Sequence, residues 1–132
     1  MMFSDIQSSR GVRPKRILLV EDSDIVRLLT AEYLRSCGHD VIDVDSAEQA
    51  LGLIEQTHFD VLFTDLSLPG MSGLDLAREV AERHASTSLI LSSGFDNEAA
   101  AHGLNGRVQF LAKPYDLNAL DQALASVDLT RD

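Results

Sequence analysis

Cysteine is nearly absent from this chain: Cys37 stands alone, so no intrachain disulfide can form, and a reducing compartment is expected. The four histidines, at 39, 58, 84 and 102, form no HxxH or HxxxH pair, which leaves no zinc signature. Basic residues are scarce. Eleven Lys and Arg face 21 Asp and Glu, a formal net charge of −10. That balance excludes the basic surface needed for non-specific binding to nucleic acid or anionic membranes, and suits a cation or a basic partner instead. No apolar run approaches the 18 residues of a membrane span, and "MMFSDIQSSRGVRP" lacks the apolar stretch of a secretory signal. Neither GxGxxG nor GxxxxGK[ST] occurs. The expectation is a cytoplasmic protein with no nucleic-acid partner and no membrane partner.

What remains suits one globular domain: 132 residues, 45% hydrophobic and 24% charged. Residues 1–14 are polar and read as a flexible N-terminal tail, 15–128 as the domain, and 129–132 as a C-terminal tail. The apolar run at 16–20 reads as a strand buried on both faces, and 41–44, 60–64, 88–92 and 108–112 read as four further strands. Between them lie helical patterns. The first covers 24–37, with Ile25, Leu28, Leu29 and Leu34 near helical spacing and Gly38 at its end. Ser46 with Gln49 resembles a capping box, Ser72 caps a helix over 73–84, and residues 96–102 suit a short helix. Asp116 caps the last helix, on which Leu117, Leu120, Leu124 and Val127 share a face. This alternation predicts an α/β, (βα)5, doubly wound five-stranded parallel sheet.

In such sheets chemistry gathers at the C-terminal strand ends. The first strand delivers Glu21 and Asp22, the third Asp65, the fourth Ser93 and the fifth Lys113. Taken singly, Glu21, Asp22 and Asp24 also suit a solvated helix N-terminus, and Asp65 before "LSLPG" suits a turn. Together, clustered carboxylates without histidine form a hard-oxygen site suited to Mg²⁺. A carboxylate there can attack phosphorus, a lysine can balance the transferring charge, and a hydroxyl can hydrogen-bond a phosphoryl oxygen.

At these residues the chain resembles the receiver domain of two-component response regulators, over residues 15–127. "ILLVEDSD" is similar to the acidic-pair motif. "DVLFTDLSLPGMSGLDL" is similar to the phosphoacceptor motif, with Pro69 and Gly73 four and eight residues after Asp65. "LILSSGF" is similar to the strand of the switch hydroxyl. Ser92 and Ser93 compete there, and Ser93 before Gly94 fits the family pattern. "FLAKPY" is similar to the lysine motif.

The resemblance implies a flavodoxin-like fold and a phosphoryl group accepted by Asp65 from a histidine kinase or a histidine phosphotransfer protein. It implies Mg²⁺, with Mn²⁺ able to substitute, held by Asp22, Asp65 and the Ser67 backbone carbonyl, with Glu21 acting through water. Lys113 and Ser93 are the implied catalytic groups, Ser93 and Phe110 the implied switch, and Lys113–Pro114 the implied cis peptide. Ser67 and Phe95 flank the implied path of the hydrolytic water. Neither is a carboxylate or an amide, so a persistent phosphate is expected.

The expected role is a bacterial signalling switch or relay rather than an enzyme. Since few residues follow Val127, output is expected through an unidentified downstream protein. Two other readings fit the acidic site less well. A Mg²⁺-dependent phosphatase with an aspartate nucleophile needs a second Asp where Ser67 stands. A receiver-like module independent of phosphate usually lacks an acid or the lysine, and both are present here.

Overall fold

The computed structural model describes residues 13–94 and 108–129. Five strands form one parallel sheet: β1 (Arg16–Val20), β2 (Asp40–Val44), β3 (Val61–Asp65), β4 (Ser88–Ser93) and β5 (Val108–Ala112). Their spatial order is β2-β1-β3-β4-β5. Four helices are described: α1 (Asp24–Ser36), α2 (Ala47–Ile54), α3 (Gly73–Arg83) and α4 (Leu117–Leu129). The short helix expected at 96–102 lies outside the described residues. No described helix is long and apolar enough to cross a membrane.

The sheet separates two cores because alternate strand residues face opposite ways. Leu18, Val20, Leu62, Leu89 and Leu91 pack with Ala50, Ile54, Leu76 and Val80 of α2 and α3. Ile17, Leu19, Phe63, Ile90 and Leu111 pack with Ala31, Leu34, Leu120 and Leu124 of α1 and α4. Each of these Leu, Ile or Phe side chains contributes about 1.5–3 kcal/mol by leaving water. The central strands β3 and β4 are buried along their whole length.

The helix starts follow the sequence. Ser23, Ser46 and Ser72 accept hydrogen bonds from the amides of Val26, Gln49 and Asp75, and Asp116 Oδ1 accepts from the Ala119 amide at 2.8 Å. Gln49 reaches back to the Asp45 amide, one residue before the cap, instead of closing the box on Ser46 itself. Gly38 ends α1 with φ of 97°, in the left-handed region.

Two helical patterns are arranged differently from expectation. On α1 only Leu34 of the four spaced apolar residues is buried, and Thr30 and Ala31 complete its inner face. Ile25, Leu28 and Leu29 are 59–70% exposed. On α4, Leu120, Leu124 and Val127 are buried in the core, whereas Leu117, the first residue of the helix, is exposed. Cys37, expected within the helix, is its half-buried C-cap.

Candidate functional site

Three strand ends converge through the same alternation that builds the core. Leu19, Phe63 and Leu111 face α1 and α4. Two residues further along each strand direction stand Glu21, Asp65 and Lys113, on that same side. Lys113 Nζ donates to Glu21 Oε1 at 2.9 Å and to Asp65 Oδ2 at 2.8 Å. Glu21 and Asp65 are both buried, at 3% and 7% exposure. Burial works to lower the Lys113 pKa, but the hydrogen bonds and charges of Asp65 and Glu21 outweigh it and hold it above the ordinary lysine value.

Asp22 follows in the exposed turn before α1. One carboxylate oxygen from each of Glu21, Asp22 and Asp65 lies within 4.8 Å of the others. Three carboxylates against one ammonium leave an excess of two negative charges, and every donor is a hard oxygen. That set fits a hexacoordinate divalent cation such as Mg²⁺, with Asp22 open to solvent for exchange. Asp24 points elsewhere: it is exposed and pairs with Arg27 at 2.7 Å.

Backbone contacts hold Asp65 in place. Its Oδ1 accepts from the Ser67 amide at 3.1 Å, bringing the Ser67 backbone to the carboxylate. Gly73 donates its amide to the Leu66 carbonyl at 3.0 Å, and a Cβ on Gly73 would overlap the Asp65 carbonyl. The sequence placed Gly73 in a motif; its physical necessity comes from this close approach of helix start and strand end.

Ser92 and Ser93 are both buried. Ser92 pairs in register with Asp65, so alternation puts it on Asp65's side of the sheet. Ser93 falls on the side of Leu91, whose register partner on β5 is Phe110. Phe110 is partly buried against the core beneath α2 and α3. Ser93 is also tied to the lysine segment, since its carbonyl accepts from the Lys113 amide at 2.8 Å. The Lys113–Pro114 peptide is cis. Phe95 lies outside the described residues.

Two contributors had escaped the sequence reading. Arg27 Nη1 donates to the Glu21 carbonyl at 2.9 Å, while its other nitrogens engage Asp24 and Asp43, so one guanidinium fastens the acidic turn to α1 and β2. The i, i+3 spacing from Asp24 was the only signal for it. Tyr115 packs its ring on Phe63 and pairs its hydroxyl with Thr30 at 3.2 Å, joining the segment after Lys113 to α1. Beside Lys113 and Tyr115 opens an apolar cleft of about 530 Å³, bordered by Val26, Leu29, Pro114 and Leu117.

Comparison with known proteins agrees with this geometry. The family model described as response regulator receiver domain matches residues 17–125. The sensor kinase CckA of Brucella abortus (strain 2308) is 34% identical over 108 residues, covering 79% of this chain and 11% of that protein. The two-component response regulator PhoP of Pseudomonas aeruginosa is 34% identical over 111 residues, covering 83% of this chain and 49% of that protein. The chain thus spans half or less of the length of these curated relatives. Among solved structures, a response regulator receiver protein from Pseudomonas putida superposes with a TM-score of 0.73 at 34% identity, covering 86% of this chain and 98% of that one. With five parallel strands in the flavodoxin-like order and its acids and lysine gathered at their ends, the chain belongs to the response regulator receiver domains of two-component signalling.

Proposed function

We propose that Asp65 accepts a phosphoryl group from a phosphohistidine on a histidine kinase or a histidine phosphotransfer protein, and that the phosphorylated domain signals through a protein partner in the cytoplasm. The observation that carries this reading is the Lys113 ammonium held between Glu21 and Asp65. A carboxylate oxygen of Asp65 forms the new O–P bond as the N–P bond to the donor histidine breaks, and the imidazole leaves with the bonding pair. Lys113 stays beside the acceptor and balances charge on the phosphoryl oxygens. Asp22, Asp65 and the Ser67 carbonyl would hold a divalent cation, with Glu21 acting through water, and that cation would supply further neutralisation of the phosphoryl oxygens.

The donor's approach is favoured by the surface next to the site. Ile25, Leu28 and Leu29 of α1 and Leu117 of α4 are exposed apolar side chains, and Leu29 and Leu117 line the cleft beside Lys113. A donor protein burying them would bring its histidine over Asp65.

The domain is a phosphoacceptor rather than a turnover enzyme. Ser67, exposed beside Asp65, has no carboxylate or amide to align water, so the acyl phosphate is long-lived without outside assistance. Ser93 and Phe110 couple phosphorylation to shape: Ser93 starts on the side of the sheet away from Asp65, so the new charge must turn its hydroxyl over the end of β4, and Phe110 on that side repacks into the space it leaves.

Intact-mass analysis after incubation with acetyl phosphate and Mg²⁺ tests the reading. One added phosphoryl group is expected in the natural chain and none in Asp65→Asn. Equal labelling of Asp65→Asn overturns the assignment.

A further inference from the structure

The 66–72 loop between β3 and α3 is held at both ends by contacts already described, Asp65 to the Ser67 amide and Gly73 to the Leu66 carbonyl. Its crown, at Pro69 and Gly70, is exposed. A third contact fastens this crown, and it comes from a different helix. Glu48, in the first turn of α2, accepts the Met71 amide on Oε2 at 2.9 Å. The same oxygen lies 2.7 Å from where a Cβ on Gly70 would stand. Gly70 has φ of 73°, so this glycine both permits the turn and leaves room for the carboxylate.

An acid accepting a backbone amide makes a charge-assisted bond, stronger than a neutral one. The Met71 amide, as the leading cause, holds the Glu48 carboxyl below its ordinary value. Ser67 lies four residues before Met71 on this short loop. A crown free to swing would carry the Ser67 carbonyl with it.

We propose that Glu48 is a positioning residue for the phosphoacceptor site: it clamps the crown of the 66–72 loop to α2 and thereby holds the Ser67 carbonyl in reach of a divalent cation beside Asp65. The consequence for the metal rests on the phosphoacceptor reading above; the clamp itself does not. Groups that orient a metal ligand from outside typically change affinity by 10–100-fold when removed. A single exposed contact belongs at the lower end of that range.

Three variants separate the clamp from simple charge. Glu48→Ala removes both charge and acceptor, Glu48→Gln removes charge but keeps an oxygen acceptor, and Glu79→Ala removes one charge from α3, where Glu79 pairs only with Arg83 among the described residues. Two measurements are made on each: amide hydrogen exchange in metal-free protein and calorimetric titration with MgCl₂. Glu48→Ala is expected to speed exchange at 67–71, leave the Gly73 amide protected, and weaken Mg²⁺ binding about tenfold. Glu48→Gln and Glu79→Ala are expected to stay within about twofold of the natural chain in both, well short of that loss. Unchanged exchange and affinity in Glu48→Ala overturn the proposal, as does a loss in Glu48→Gln equal to that in Glu48→Ala. Faster loop exchange in Glu48→Ala, with no Mg²⁺ binding by any of the proteins, supports the clamp and overturns the metal reading.

Discussion

Lys113 Nζ lies 2.8 Å from Asp65 Oδ2, and the same ammonium reaches Glu21 Oε1 at 2.9 Å. One cation, a quarter exposed, therefore stands between two buried carboxylates delivered by different strands. Removing it leaves both acids facing each other. Lys113→Ala is expected to lose about 1–3 kcal/mol of stability without metal, the cost of leaving charged partners unsatisfied. It is also expected to bind Mg²⁺ more tightly, because a like charge next to the cation is gone. Thermal melts with and without MgCl₂ check both: a lower Tm without metal and a larger rise on adding it. A smaller rise than in the natural chain contradicts this account.

Asp22 and Asp24 differ in what they face. Asp22 contributes to the carboxylate cluster, whereas Asp24 is exposed and paired with Arg27. Asp22→Ala should weaken Mg²⁺ binding at least tenfold more than Asp24→Ala, on the order of the loss of one charged ligand. Titration calorimetry on the two variants, which have the same net charge, makes the comparison. Equal affinities would remove Asp22 from the ligand set.

Ser92 and Ser93 fall on opposite sides of the sheet, Ser92 beside Asp65 and Ser93 with Phe110. Ser93→Ala should still be phosphorylated on Asp65 but show smaller NMR shifts around Phe110 on phosphorylation. Ser92→Ala should keep those shifts. The reverse pattern would transfer the coupling role to Ser92.

Gly73 has no space for a side chain, since its Cβ would overlap the Asp65 carbonyl. Gly73→Ala forces the start of α3 away from the end of β3, and is expected to cost roughly 1–3 kcal/mol. It should also slow phosphorylation by displacing Asp65. Denaturant unfolding and acetyl-phosphate labelling measure the two effects. A variant as stable as the natural chain would mean that the helix start moves freely.

Tyr33 and Tyr115 are the chain's only tyrosines, and tryptophan is absent, so tyrosinate absorbance reports on these two alone. Burial, followed by the hydrogen bond to Asp121, raises the Tyr33 phenol. Burial also raises Tyr115, with the Glu21 charge adding to it against a lowering contact from Thr30. Both folded values lie above the unfolded value of about 10, so the folded state holds these protons more tightly. Their stabilisation is fully present below about pH 10 and is lost as pH rises through the folded values. Absorbance near 295 nm should therefore rise at higher pH in folded protein than in urea-unfolded protein. Coincident curves would show that neither phenol is shielded.

Much of this protein was legible in its sequence. The limits of β1 and β5, the serine and aspartate caps and the left-handed Gly38 agree with expectation, because strand runs, caps and glycine turns depend on residues close together in the chain. Glu21, Asp22, Asp65 and Lys113 were legible as strand-end residues, since a parallel sheet aligns its C-terminal ends at one edge.

Tertiary structure decided what local pattern leaves open. Helical spacing showed that Ile25, Leu28 and Leu29 share α1 with Leu34, but only the position of the sheet determined that Leu34 is covered and the others are not. Periodicity describes one element, whereas burial depends on what lies against it. In the same way, strand register placed Ser92 beside Asp65, and the approach of α3 to β3 excluded a side chain at Gly73. Packing brought Glu48 from 23 residues away onto the Met71 amide, a contact with no local signature because its partner is a backbone group that every non-proline residue carries.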